Sequence, residues 1–326
     1  ELGEVSDEVV RALLGALRDE DAFVRRDAAW ALGELGKVSD EVVGALLGAL
    51  RDEEALVRRG AAWALGELGE ASDEVVGGLL AAMRDEDASV RTNAAVALGK
   101  LGEASDEVVG ALLGALRDED AGVRMRAAEA LGELGEVSDE VVGALLGALR
   151  DEDAGVRWRA AWALGELGEV SDEVVRALLG ALRDEDAFVR RDAAWALGEL
   201  GEASDEVVGA LLGALRDEDA GVRWRAAWAL GKLGEATDEV VGRLAKALRS
   251  RSAEVVANAA VALSKLRRAD ERTIQTLAGL LRDGRGPLGR FFGPRMDEHV
   301  LVGFRHAPAY DFVFEALWEL VGRTAD

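Results

Sequence analysis

Seven runs of Ser-Asp-Glu-Val-Val, opening at Ser6, Ser39, Ser72, Ser105, Ser138, Ser171 and Ser204, stand 33 residues apart, and Thr237 opens an eighth, looser copy. A fixed period of this length predicts a stack of units, each packed only on its neighbours. A chain of 326 residues, 49% of them apolar, would otherwise tend to split into separate cores.

Within a unit the pattern is helical. In the fifth, Ser138 is placed to cap a helix, and Asp139 and Glu140 follow in its first turn, where negative charge suits the helix dipole. Val141, Val142, Leu145, Leu146, Ala148 and Leu149 then form one wide apolar face. Asp151-Glu152-Asp153 makes a short polar turn, with Asp153 placed to cap a second helix from about Ala154 to Leu167. That helix repeats its apolar positions at Val156, Ala160, Ala163, Leu164 and Leu167, and Gly168 is the expected left-handed stop. The short connection makes the two helices antiparallel neighbours. Ala161 and Gly165 supply a small-residue side on which the next unit can approach closely. Gly147 lies inside the first helix at a cost of about 1 kcal/mol relative to alanine; close packing would account for it, but Lys246 stands at the equivalent place of the eighth unit, and the sequence supplies no firm reason for the glycine.

These residues resemble a known family. Asp151, Val156-Arg157, Ala160-Ala161 and Ala163-Leu164-Gly165 are similar to the HEAT-repeat signature, in the short bacterial form named for phycobilisome lyases. The resemblance covers residues 1–269 and implies an all-α fold, a right-handed α-solenoid of stacked antiparallel helix pairs. It also implies a ladder between repeats from the aspartate and the arginine after valine, here Asp118 with Arg124 and Asp151 with Arg157. Long, nearly identical arrays of this kind resemble those attached to bacterial signalling and conflict NTPases of the NACHT type, which implies a sensor arm.

The first seven copies differ chiefly at four places. The eighteenth residue is Phe23, Leu56, Ser89, Gly122, Gly155, Phe188 or Gly221. The twenty-first is Arg26, Arg59, Thr92, Met125, Trp158, Arg191 or Trp224. The twenty-second is Asp27, Gly60, Asn93, Arg126, Arg159, Asp192 or Arg225, and the twenty-fifth is Trp30, Trp63, Val96, Glu129, Trp162, Trp195 or Trp228. All four fall on one face of the second helix, opposite its apolar positions. A buried site that accepted Trp, Val and Glu in turn would meet cavities or a stranded charge, so this face is expected to be exposed, or at most half covered by its neighbours, and to line a concave groove. Tryptophan and arginine are the residues of binding hot spots. The candidate ligand-binding set is therefore Phe23, Arg26, Trp30, Arg59, Trp63, Met125, Glu129, Trp158, Trp162, Phe188, Arg191, Trp195, Trp224, Arg225 and Trp228. The competing reading is self-packing, with Arg26 on Trp30, Arg59 on Trp63 and Arg191 on Trp195 as cation–π pairs, and Trp158 with Trp162 and Trp224 with Trp228 covering each other.

Charge narrows the partners. Of the net −24, residues 237–326 contribute +2, so the repeats are strongly acidic. Such a body does not wrap a phosphate backbone and is repelled by anionic membranes. No segment is apolar over a membrane-spanning length, and a cytoplasmic location is expected. Cysteine is absent and His299 and His306 are the only histidines. No metal site, cofactor or catalytic constellation is therefore expected, and no phosphate-binding glycine loop stands out from the 33-residue period.

The expected organisation is a preceding repeat's end at 1–5, seven near-identical repeats over 6–236, a divergent eighth at 237–269 and an irregular cap at 270–326. The start, Glu1-Leu2-Gly3-Glu4-Val5, matches the end of a unit and implies a fragment of a longer protein. Together these features lead to a non-enzymatic recognition module for a protein or peptide ligand. One alternative is a structural scaffold that self-associates through residues 284–326. The other is a phycobilin-lyase-like enzyme or cofactor chaperone, which resemblance alone supports.

Overall fold

A computed structural model of the chain describes residues 7–234 and 238–247, with Ala259, Ala262 and Leu263. The expected cap at 270–326, with its role in self-association, lies outside the described residues. Two compact units emerge, residues 1–167 and 168–326. The first holds α1 (Asp7–Ala16), α2 (Ala22–Leu35), α3 (Asp40–Ala49), α4 (Ala55–Leu68), α5 (Asp73–Ala82), α6 (Ala88–Leu101), α7 (Asp106–Ala115), α8 (Ala121–Leu134), α9 (Asp139–Ala148) and α10 (Ala154–Leu167). The second holds α11 (Asp172–Ala181), α12 (Ala187–Leu200), α13 (Asp205–Ala214), α14 (Ala220–Leu233) and α15 (Asp238–Ala247). All regular structure among the described residues is helical, and the fold class is an all-α solenoid of helix pairs.

The ends of the helices follow from their caps. The Ser138 hydroxyl accepts the Val141 N–H at 3.3 Å, and the Asp153 carboxylate accepts the Val156 N–H at 3.2 Å. Gly168 stops α10 with φ of +67°, a backbone state that side chains with a Cβ resist. The second repeat departs from this pattern. Glu54 stands where its sister repeats carry aspartate, and it makes no side-chain cap to α4.

The core runs along both helix layers. Val141, Leu145, Val156, Ala160 and Ala163 are fully buried, and so is Ala161, which the apolar spacing alone did not assign to the core. The small side matters more than its size implies. A Cβ at Gly132 would lie 2.9 Å from the Cα of Ala163, and one at Gly33 2.8 Å from the Cα of Ala64. Within the first unit, successive second helices thus meet backbone against Cβ and form the tight inner layer. The first helices are set wider, and a groove of about 610 Å³ opens between α3 and α5.

Gly147 is different. A Cβ built there meets nothing within 4 Å, as at Gly48 and Gly114. Close packing does not account for these glycines, and nothing in the structure explains them.

The implied ladder is present inside each unit. Arg124 donates from Nε and Nη2 to the two carboxylate oxygens of Asp151 at 2.8 Å each. Its Nη1 donates to the carbonyls of Asp118 and Glu119 at 3.0 and 3.1 Å. The Asp153 N–H completes the rung by donating to Asp151 at 2.9 Å. Arg25 with Asp52, Arg58 with Asp85 and Arg91 with Asp118 repeat this in the first unit, as does Arg190 with Asp217 in the second. Burial alone would raise the Asp151 carboxyl. The Arg124 guanidinium and the Asp153 N–H outweigh it and hold the group below the usual carboxylate range.

Candidate functional site: the variable face of the second helices

The variable positions sit on the open side of the second helices because the remaining sides are used up. One side carries valine, alanine and leucine into the core, and another carries the glycine and alanine of the inter-repeat seam. None of the fifteen candidate residues is buried. Phe23, Trp30, Phe188 and Trp224 are exposed, at 59%, 42%, 55% and 41%. Arg26, Arg59, Trp63, Met125, Glu129, Trp158, Trp162, Arg191, Trp195, Arg225 and Trp228 are half-buried.

In the first unit these residues fall into two pads. On α2 and α4, Trp30 and Trp63 stack with ring centroids 4.2 Å apart and planes 24° from parallel. The pair comes from adjacent repeats, and the edge of the Trp63 ring seats on Gly33. Arg26 lies over Phe23, 5.1 Å from the ring centroid, and donates to Asp27 at 2.7 Å. A polar stretch follows on α6 with Ser89, Thr92 and Asn93, where the Asn93 side chain donates to the Ser89 carbonyl at 2.8 Å.

The second pad spans α8 and α10. Glu129 accepts from Arg126 at 2.5 Å and from Arg159 of the following repeat at 2.8 Å. Arg159 lies over both indoles of its own helix, 4.0 Å from the Trp158 ring and 5.5 Å from that of Trp162. Met125 turns partly inward and packs on the cluster containing Val156 and Ala160. One turn along from Glu129, burial pushes the Glu133 carboxyl up, and the Glu129 charge adds to the effect.

The face of the second unit uses the same parts. Arg191 lies 4.7 Å from the Phe188 ring and donates to Asp192 at 3.1 Å. Arg225 stands 4.6 Å from the Trp224 ring and 5.9 Å from that of Trp195. Burial pulls its guanidinium below the ordinary arginine value, and the Asp192 carboxylate opposes that. Lys232 lies 5.2 Å from the Trp228 ring and pairs with Glu199.

The pairing of the competing self-packing reading, Arg26 on Trp30, Arg59 on Trp63 and Arg191 on Trp195, does not form among the described residues. Arg26 and Arg191 turn back onto the phenylalanines three residues earlier. Trp158 and its neighbour Trp162 share a guanidinium, and Trp224 meets Arg225. The indoles of Trp63, Trp162 and Trp228 instead seat against a glycine of the preceding repeat, at Gly33, Gly132 and Gly198.

Sequence reasoning placed the twenty-second position on this face but omitted Arg126, Arg159 and Asp192 from the candidate set. Arg159 and Glu129 hold the second pad together. The signal was available as a carboxylate on one repeat and an arginine thirty residues later on the next.

Among the described residues no group of three or more His, Cys, Asp and Glu side chains could hold a metal ion. Both histidines lie outside the described residues. Nor is any described helix long and apolar enough to cross a membrane.

A family model described as HEAT repeats matches residues 1–54, 76–142, 111–198, 142–219, 175–241 and 210–290, and a single HEAT repeat matches residues 42–72. The chain belongs to the HEAT-repeat family. Its array resembles solved structures at low identity. The Escherichia coli protein YibA aligns at 18% identity and a TM-score of 0.60 over 97% of this chain and 98% of that one. A structural-genomics engineered protein aligns at 23% identity and 0.50 over 96% and 99%. Kap95p, in a structure with RanGDP, aligns at 16% identity and 0.52, over 96% of this chain and 51% of that one. These likenesses concern the fold. A comparison with curated proteins finds no match.

Proposed function

We propose that this HEAT array is a non-enzymatic recognition module whose ligand is a protein or peptide held on the variable face of the second helices. We further propose that it serves as the sensor arm of a larger bacterial signalling or defence protein, in the cytoplasm, with residues 270–326 as its cap. One observation carries the reading. The positions at which otherwise near-identical repeats differ lie on the side of the second helices that the core and the seam do not use, the fifteen candidate residues there are exposed or half-buried, and tryptophan, phenylalanine and arginine predominate among them.

A scaffold that needed only to stand would have no use for that coincidence, because exposed helix positions are satisfied by any good helix former. Aromatic and arginine side chains supply contact area at low entropic cost, and clusters of them mark interface centres. Kap95p, of the same fold class, is a protein that binds another protein, which accords with this use of a helical array.

The test is recovery of bound protein from native lysate by the full chain and by a variant with Trp158, Trp162, Trp224 and Trp228 changed to alanine. The reading expects a discrete partner with the parent chain and at least a tenfold smaller yield with the variant. Equal recovery by both removes the face from consideration.

A further inference from the structure

The arginine at the twenty-first position occurs in three of the described repeats, and in two of them the protein occupies it. Arg26 lies over Phe23 and is bonded to Asp27. Arg191 lies over Phe188 and is bonded to Asp192. The second repeat keeps the arginine, as Arg59, and the tryptophan one turn on, as Trp63, but replaces both internal partners. Leu56 stands in place of the phenylalanine and Gly60 in place of the aspartate. Arg59 accordingly makes no hydrogen bond, ion pair or ring contact with any described residue. On the rest of the first unit's face, Arg26 is held by Asp27, and Arg126 and Arg159 by Glu129.

From this we infer, on the basis of the recognition reading above, that Arg59 with the Trp30–Trp63 stack forms a carboxylate-reading subsite. It would take an Asp or Glu side chain of an extended peptide segment in which an apolar or aromatic residue adjoins the acid. The guanidinium presents a planar donor fork that fits a carboxylate with two parallel hydrogen bonds. The stacked indoles, with Trp30 exposed and Leu56 half-buried, give the neighbouring apolar side chain a shelf. Charge complementarity selects the occupant. The repeats are acidic overall, so an anionic segment is turned away elsewhere and finds an uncompensated cation here, at a range where salt screens the rest of the body.

The experiment uses the full 326-residue chain. Random twelve-residue peptides displayed on phage are selected against it, and the enriched peptides are made with blocked termini. Each peptide is then compared with its Glu→Gln or Asp→Asn form and with phosphoserine at the same place. The proteins compared are the parent, R59Q, and the double variant Leu56→Phe with Gly60→Asp, which rebuilds the face of the first repeat around Arg59. A Cβ at Gly60 would meet Arg26 Cγ and the Arg26 carbonyl oxygen at 3.4 Å, an ordinary van der Waals separation, and aspartate already stands at this position in two sister repeats.

Enriched peptides are expected to carry an acid beside an apolar residue. Amidation should cost at least tenfold in affinity on the parent and under twofold on R59Q and on the double variant. Selected peptides without an acid, or an equal amide effect on all three proteins, overturn the inference and leave the recognition reading standing. A tenfold preference for phosphoserine overturns the carboxylate assignment. Failure to enrich any peptide, or binding that survives alanine at the face tryptophans, overturns both readings.

Discussion

Replacing Arg124 with methionine should open the seam between the fourth and fifth repeats. Methionine keeps the apolar stem and deletes a guanidinium that makes four hydrogen bonds, two to Asp151 and two to the loop carbonyls of Asp118 and Glu119. Were this a surface pair, the loss would be about 0–1 kcal/mol. The Arg124 and Asp151 side chains are only 10% and 13% exposed, so the change strands a carboxylate in a largely dry seam. Breaking a buried pair from one side costs about 3–5 kcal/mol. Asp151 keeps the Asp153 N–H and some water, which places the expected loss near the lower end, about 3 kcal/mol. Adding Asp151→Asn removes the stranded charge and keeps an acceptor for Asp153. The R124M/D151N chain should therefore recover more than half of the loss. Arrays open in parts and not all at once, so urea unfolding followed by tryptophan fluorescence should be paired with hydrogen exchange at the α7–α8 and α9–α10 turns, where Arg124 meets its partners. A loss below about 1 kcal/mol, or a double variant no better than R124M, would refute the view that the ladder locks the repeats.

Other outcomes test separate parts of the account. Gly147→Ala should stabilise by about 0.5–1 kcal/mol, because its Cβ meets open space, whereas Gly132→Ala should destabilise by about 1–3 kcal/mol by pressing on Ala163; urea midpoints compare the two. Glu54→Asp should supply the missing cap of α4 and raise stability by about 1 kcal/mol, read in the same way. The ladder carboxyls are lowered in the folded chain, so their contribution is fully present above about pH 4, the usual aspartate range. It is lost as pH falls through their folded values. The stability gap between the parent chain and R124M should accordingly stay constant from pH 7 to about pH 5 and narrow below about pH 4, and a gap that widened there would contradict the pairing.

Much of this structure is written in the repeat itself. The 33-residue period carried the helix pairs, and the bounds of α10, from Ala154 to Leu167, followed from an aspartate cap and a glycine stop. The ladder was legible through the resemblance to HEAT repeats, which implies it from the aspartate and the arginine after valine. Comparison of the copies found a face that is exposed or half covered at every candidate residue, since a buried position cannot alternate among Trp, Val and Glu, although Asp192 on the same face is buried. What the sequence hid is where long side chains turn once they reach that face. The indole of Trp63 crosses to Gly33, Arg26 folds back onto Phe23, and Arg159 bridges Glu129 and two tryptophans. Trp63 and Arg159 answer in part to the adjacent repeat, through Gly33 and Glu129, whereas Arg26 chooses between two aromatic partners on its own helix, and spacing within one unit settles neither choice. Gly147 had no firm reason in the sequence, where Ala81 and Lys246 stand at the equivalent place, and the open space around a Cβ built there supplies none.

The central claim is that the variable face of the second helices is the surface that meets a partner. Photo-crosslinking tests it most directly, with a benzophenone amino acid placed at Thr92 on that face or at Gly147 on the first-helix layer, and the full chain irradiated in native lysate. The account expects one discrete protein adduct from Thr92 and at least tenfold less from Gly147. Equal adduct yields at the two positions, or adducts from Gly147 alone, would contradict it.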